Sequence, residues 1–350
     1  MGWKKWAGFV VSFVFLGLVI LNHDLDQLLE GVLKWDPDKI LNPGLHLSEM
    51  GRIFRQVDPV PLVIATAISL FLFVIRAVRW HYLLLPKVRI GFFPLFSATM
   101  IGFMANNILP ARIGEFVRAY VLSKKEDVST SAALATIVVA RLFDAFTLLL
   151  IFLVTFYLFD YPGWVGSVGI AATLVFIGFL VVLVLIVVMP DRFVRVLSGW
   201  CRVLPGRLHE KIEGVLISFT EGLDILKDKK LIVIALAISI VHWMLMGYGL
   251  SLGLGAFNID LPAIGPYFVT SVVCIGISIP SSPGFVGTFQ WFMEKGLSVY
   301  DIPKDISLAF SLGFHLILYV PTVIVGLIYF FKENLTWGEV KSRESEERKK

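Results

Sequence analysis

The stretch SAALATIVVARLFDAFTLLLIFLVTFYLF, residues 131–159, decides the class of fold. As a helix rising about 1.5 Å per residue it more than crosses a hydrocarbon core about 30 Å thick. Arg141 and Asp144 are its only charged residues. Length and composition together make it a membrane-spanning helix.

Working outward, apolar runs of the same kind recur near 6–22, 59–85, 92–109, 164–189, 231–256, 263–280 and 306–331. Those at 164–189 and 306–331 are as clear as the first. The 350 residues are 57% hydrophobic and 17% charged, with mean hydropathy +0.81. A soluble domain of this size needs more charge to cover its surface. The expected fold is therefore all-α, a polytopic transmembrane helical bundle. The run after Lys4 and Lys5 is long and has no small-residue cleavage site after it, so it reads as a retained first helix rather than a signal peptide.

The net charge of +4 is gathered in clusters between apolar runs, a pattern of membrane orientation and not of nucleic-acid binding. Lys4 and Lys5, Arg76 to Arg89, Lys124 and Lys125, the basic 190–230 segment and Lys332 all fall on the cytoplasmic side. The acidic 23–58 connection falls outside, with an amphipathic piece from Leu45 to Val57 suited to the membrane surface. Both termini are then cytoplasmic, in a cytoplasmic (inner) membrane. Residues 1–332 form an integral membrane lipid-transport domain and 333–350 a polar cytoplasmic tail. Cys201 and Cys274 have no Cys-x-x-Cys spacing, and no His ligand pattern, Walker loop, nucleophile elbow or acidic metal motif occurs. No cofactor, metal site or catalytic residue is expected.

The tally of sides forces two excursions. Residues 92–109 with the short charged stretch Arg112 to Leu122 leave and return to the cytoplasmic side; 263–280 with 284–298 do so from outside. Both are helical hairpins broken by Pro and Gly, of opposite orientation, and either re-entrant or fully crossing. The breaks read Asn106-Asn107-Ile108-Leu109-Pro110-Ala111-Arg112-Ile113-Gly114-Glu115 and Ser278-Ile279-Pro280-Ser281-Ser282-Pro283-Gly284-Phe285-Val286-Gly287-Thr288. Broken helices at corresponding places in opposed halves suggest an inverted repeat with a substrate site near mid-membrane.

Three groups of residues could carry chemistry. Arg112, Glu115 and Arg118, three apart, share one face of a short helix. They suit an anionic headgroup, because guanidinium forks match phosphate; the alternative is a surface helix facing water. Arg141 and Asp144, at i and i+3, can pair with each other, either as a structural bridge or as lining of the same cavity. Ser281, Ser282, Thr288 and Gln290 surround the second break, which is either a binding element or a kink satisfied by its neighbours. Asn106 and Asn107 belong with the first break. His242 and His315 read as hydrogen-bonded packing, and Arg76 and Arg79 as anchors snorkelling to the interface.

The segments Leu109 to Ala119, Val139-Ala140-Arg141-Leu142-Phe143-Asp144 and Pro280 to Phe289, in that order, resemble the lysylphosphatidylglycerol synthase transmembrane-region family over about residues 5–332. The resemblance implies movement of polar-headgroup lipid between leaflets, without the aminoacyl transferase domain that some members carry. It departs at Gln290, where many members have Glu. The expected function is thus a lipid flippase or transporter for a phospholipid, aminoacyl-phospholipid or polyprenyl-linked lipid, and not an enzyme. The rival readings are a membrane-embedded transferase with Glu115 or Asp144 as base, and a scaffold for a lipid-modifying enzyme. Expected partners are the lipid itself, a second copy of the chain as a homodimer, and a lipid-modifying enzyme.

Overall fold

A computed structural model describes residues 47–109, 113–159, 228–278 and 282–335, with isolated positions between 166 and 189. The expected helix 6–22, most of 164–189, the 190–227 segment and the tail after 335 lie outside the described residues, as do Arg112 and Ser281. Among the described residues the ordered elements are all helical: α1 (Leu47–Arg55), α2 (Pro59–Leu84), α3 (Phe92–Ile108), α4 (Gly114–Lys125), α5 (Thr130–Leu158), α6 (Lys229–Ala256), α7 (Gly265–Gly276), α8 (Thr288–Ser298) and α9 (Lys304–Lys332). Four of them, α2, α5, α6 and α9, are long and apolar enough to cross a membrane.

Local sequence sets their starts. Asp58 caps α2 by accepting from the Val60 N–H at 2.9 Å, with proline in the first turn, where no backbone donor is needed. Ser129 caps α5 through Ala132 N (3.2 Å), and Asp228 caps α6 through Lys230 N (2.9 Å) and Leu231 N (3.2 Å). The amphipathic segment before α2 forms α1, whose Met50 and Ile53 pack on Leu308, Ala309 and Leu312 of α9 while Arg52 stays exposed.

The short helices form two pairs. α3 and α4 pack through glycines: a Cβ on Gly102 would strike Arg118 and the Gly114 carbonyl, and one on Gly114 would strike the Gly102 carbonyl and Asn106. Across the turn, Asn106 Oδ1 accepts from the Gly114 N–H at 2.8 Å. α7 and α8 are likewise apposed, with the Phe292 ring lying against Gly276 and Val269 against Gly296. Gly114→Ala is therefore expected to destabilise the fold by about 1–3 kcal/mol, because its collision is with backbone that has no rotamer to change. A wild-type thermal midpoint for this variant in detergent would contradict that packing.

Each pair sits at its own end of the long helices. The first core joins α3 and α4 to Trp80 and Leu83 of α2, Ala133 and Ile137 of α5, Ala235 of α6 and Phe330 of α9. The second joins α7 and α8 to Ala65, Phe152, Leu250 and Phe310, at the other ends of the same four helices. The breaks meet between them. Tyr319 of α9 donates its hydroxyl to the Asn107 carbonyl (3.3 Å), and its ring lies against Gly284 of the second break. Gly284 (φ 66°) and Gly287 (φ 87°) turn that chain through the left-handed region, which a side chain resists.

Candidate functional site

A cluster of charged side chains lies where α2, α4 and α5 converge, lined also by α6. Asp144 is buried, and its carboxylate accepts two hydrogen bonds from Arg79, at 2.6 Å from Nη1 and 3.0 Å from Nη2. Arg76 Nη1 approaches the same carboxylate at 3.4 Å. Arg79 Nη1 also donates to Ser239 Oγ of α6 at 2.7 Å. Glu115, at the start of α4, accepts from both Nε and Nη2 of Arg141. Arg118, one turn further along α4, lays its guanidinium 3.8 Å from the centre of the Trp80 ring. The indole is itself fixed, because its Nε1–H donates to Thr136 Oγ1 at 2.9 Å. Phe103 of α3 stands beneath both Arg76 (5.0 Å) and Arg141 (5.6 Å).

Helical periodicity explains the convergence. Leu72, Arg76, Arg79, Trp80 and Leu83 lie on one stripe of α2, the stripe that faces the core. Reading Arg76 and Arg79 as snorkelling anchors is therefore corrected. Both are near the basic end of α2, but Arg79 is only 3% exposed and is spent on Asp144. The expected Arg141–Asp144 pair is present at 3.8 Å, but it is the longest ion-pair contact in the cluster. Each of the two groups has a shorter bond to a different helix, Asp144 to α2 and Arg141 to α4. An i, i+3 spacing allows a pair; here longer-range partners with better geometry take both members.

Of the expected site residues, Glu115, Arg118, Arg141 and Asp144 share this cluster. Asn106 closes the α3–α4 turn, and Asn107 offers its carbonyl to Tyr319. Ser282, Thr288 and Gln290 lie at the second break instead. Ser282 Oγ donates to the Val286 carbonyl at 3.1 Å. Gln290 Oε1 accepts from Gly287 N at 2.7 Å, while its Nε2 lies 3.0 Å from His315 Nδ1. Thr288 is buried at the first turn of α8. Arg76, Arg79, Trp80, Phe103, Ser239 and His242 complete the neighbourhood and were not candidates by sequence. His242 is 1% exposed and one turn on from Ser239, on the face of α6 directed at Arg76, Arg79 and Asp144.

The cluster is graded in access. The Arg79 and Asp144 side chains are 4% and 7% exposed, those of Arg141 and Glu115 42% and 22%. A sealed ion pair thus backs an open one. Charge of this kind amid membrane-length helices persists only with partners or water.

Helices of membrane length around a charged interior, with two pairs of short helices packed at opposite ends, define a polytopic helical membrane protein with a polar core. The chain belongs to the family of the lysylphosphatidylglycerol synthase TM region, which matches residues 5–326. Among similar proteins, a UPF0104 membrane protein of Methanothermobacter thermautotrophicus is 26% identical over 77% of this chain and 83% of its own length. A UPF0104 membrane protein of Methanocaldococcus jannaschii is 23% identical over 91% of this chain and 92% of its own length. The glycosyltransferase AglD of Haloferax volcanii is 29% identical over 29% of this chain and 16% of its own length. No solved structure matches.

Proposed function

We propose that the protein is a lipid flippase or transporter that passes a polar headgroup through the charged interior while the tails stay in the bilayer. The observation that carries this reading is the Glu115–Arg141 pair: two ionised groups from different elements, bound to each other yet still open, directly in front of the sealed Arg79–Asp144 bridge. A purely structural bridge has no need of a second, accessible one. The lengths of the hairpin helices add support. α4 and α7 have 12 residues and α8 has 11, about 16–18 Å each, well short of a hydrocarbon core about 30 Å thick, while α3, with 17, reaches about 26 Å. We read both hairpins as re-entrant from opposite faces and related as an inverted repeat, with their breaks meeting beside Tyr319. The membrane is the cytoplasmic one, with both termini inside, by the distribution of Lys and Arg.

The partial match to a glycosyltransferase favours a second reading, a membrane-embedded transferase or a scaffold beside one. Purified protein in liposomes separates the readings. Transport returns chemically unchanged lipid from the opposite leaflet, as read by mass spectrometry after leaflet-selective labelling. A new covalent lipid product made by the purified protein from a glycosyl donor would instead establish the transferase.

A further inference from the structure

The charged interior does not balance. Among the described residues, Arg76, Arg79, Arg118 and Arg141 set four guanidinium groups against the two carboxylates of Glu115 and Asp144. The apolar runs 6–22 and 164–189, wholly or mostly outside the described residues, contain no acidic residue in sequence. Pairing consumes two of the four. Arg79 takes Asp144 by both nitrogens, and Arg141 takes Glu115. Arg76 is left with a share of Asp144 at 3.4 Å, and Arg118 with the face of Trp80. Both are largely buried, with Arg118 5% exposed.

Unused hydrogen-bonding capacity lies in the same place. Among the described residues, Arg118 Nε and both ring nitrogens of His242 are buried without a hydrogen-bond partner. Buried donors left idle cost stability unless a ligand takes them. Two surplus positive charges with idle donors call for an acceptor-only group of two negative charges. A phosphodiester carries one. A phosphate monoester carries close to two at neutral pH, with three acceptor oxygens.

We infer that the lipid headgroup received here is a terminal phosphate, a phosphomonoester or diphosphate, rather than the phosphodiester of ordinary phospholipids. The inference rests on the lipid-transport reading above and names its substrate class. Arg76 and Arg118 supply the charge that discriminates, and a ring N–H of His242 a further contact to a phosphate oxygen.

Two probes that differ by one methyl group and one charge isolate the point: dioleoyl phosphatidic acid and dioleoyl phosphatidylmethanol. Full-length protein in nanodiscs, titrated with each at pH 8, should retain phosphatidic acid at least about tenfold more tightly. Arg118→Gln should erase most of that preference and Arg118→Lys keep most of it, with the thermal midpoint of each variant confirming the fold. Inorganic phosphate and pyrophosphate, added as competitors, should displace the lipid only weakly. Equal retention of the two lipids, with both translocated, would overturn the phosphomonoester inference and leave lipid transport standing. Full displacement by inorganic phosphate would move the ligand from lipid to free anion and overturn it as well. Binding of neither lipid nor anion would contradict both readings.

Discussion

Asp144→Ala is expected to lower the unfolding free energy by about 3–5 kcal/mol, the usual loss when one member of a buried ion pair is removed. It should cost more than Arg79→Ala. The Asp144 carboxylate gathers three guanidinium contacts, at 2.6 and 3.0 Å from Arg79 and 3.4 Å from Arg76. Taking it away leaves two arginines facing each other in an apolar interior, and an arginine cannot discharge itself by losing a proton. Taking Arg79 away leaves Asp144 with Arg76 still at hand, and a carboxyl can also protonate. Ser239, which accepts from Arg79 at 2.7 Å, offers too little to replace the lost charge. Thermal unfolding of purified variants in one detergent checks the order. Equal losses, or a milder Asp144→Ala, would mean that the Asp144 bridge does not hold α2 to α5.

Arg141→Ala is expected to behave in the opposite way, with the fold kept and transport lost. Its side chain is 42% exposed and that of its partner Glu115 is 22%, so this pair is far less sealed than Arg79–Asp144 and holds the fold less. Exposed ion pairs contribute at most about 1 kcal/mol. For a headgroup, in contrast, Arg141 is the most exposed guanidinium of the cluster and the first it meets. A charge-assisted hydrogen bond to a bound anion is worth about 1.5–3 kcal/mol, so translocation should fall about tenfold or more. Asp144→Ala should register mainly in stability, and Arg141→Ala mainly in transport.

The membrane class and the positions of the four described long spans were legible in sequence, because hydropathy over about twenty residues reports directly on lipid. The expected 59–85, 131–159, 231–256 and 306–331 correspond to α2, α5, α6 and α9 within a residue or two. The residues Glu115, Arg118, Arg141 and Asp144 were legible as well, since ionisable groups at membrane depth stand out. Their partners were not. Depth along a helix can be counted in sequence, but which face meets the bundle depends on packing. That is why Arg79, a short way from the end of α2, looked able to reach water when it is buried against α5. The Arg141–Asp144 pair was legible from its spacing, but the shorter bonds each member makes elsewhere were not, because the approach of α2 and α4 is not visible within one helix. Gln290 stood out as a substitute for an expected carboxylate, yet its side chain is occupied by Gly287 and His315 in shaping the second break.

The most direct measurement reconstitutes the purified protein in liposomes loaded with a fluorescent lipid bearing a terminal phosphate and follows quenching of the outer leaflet by a membrane-impermeant reductant. Wild-type protein and Lys125→Ala, which removes a partly exposed pair with Glu333 and a hydrogen bond to Ser97 away from the charged cluster, should expose inner-leaflet lipid to quenching at the same rate. Arg141→Ala should be at least about tenfold slower while unfolding at nearly the wild-type temperature. Equal rates in Arg141→Ala and wild type, or a wild-type rate no faster than protein-free liposomes, would contradict passage of the headgroup through the charged interior.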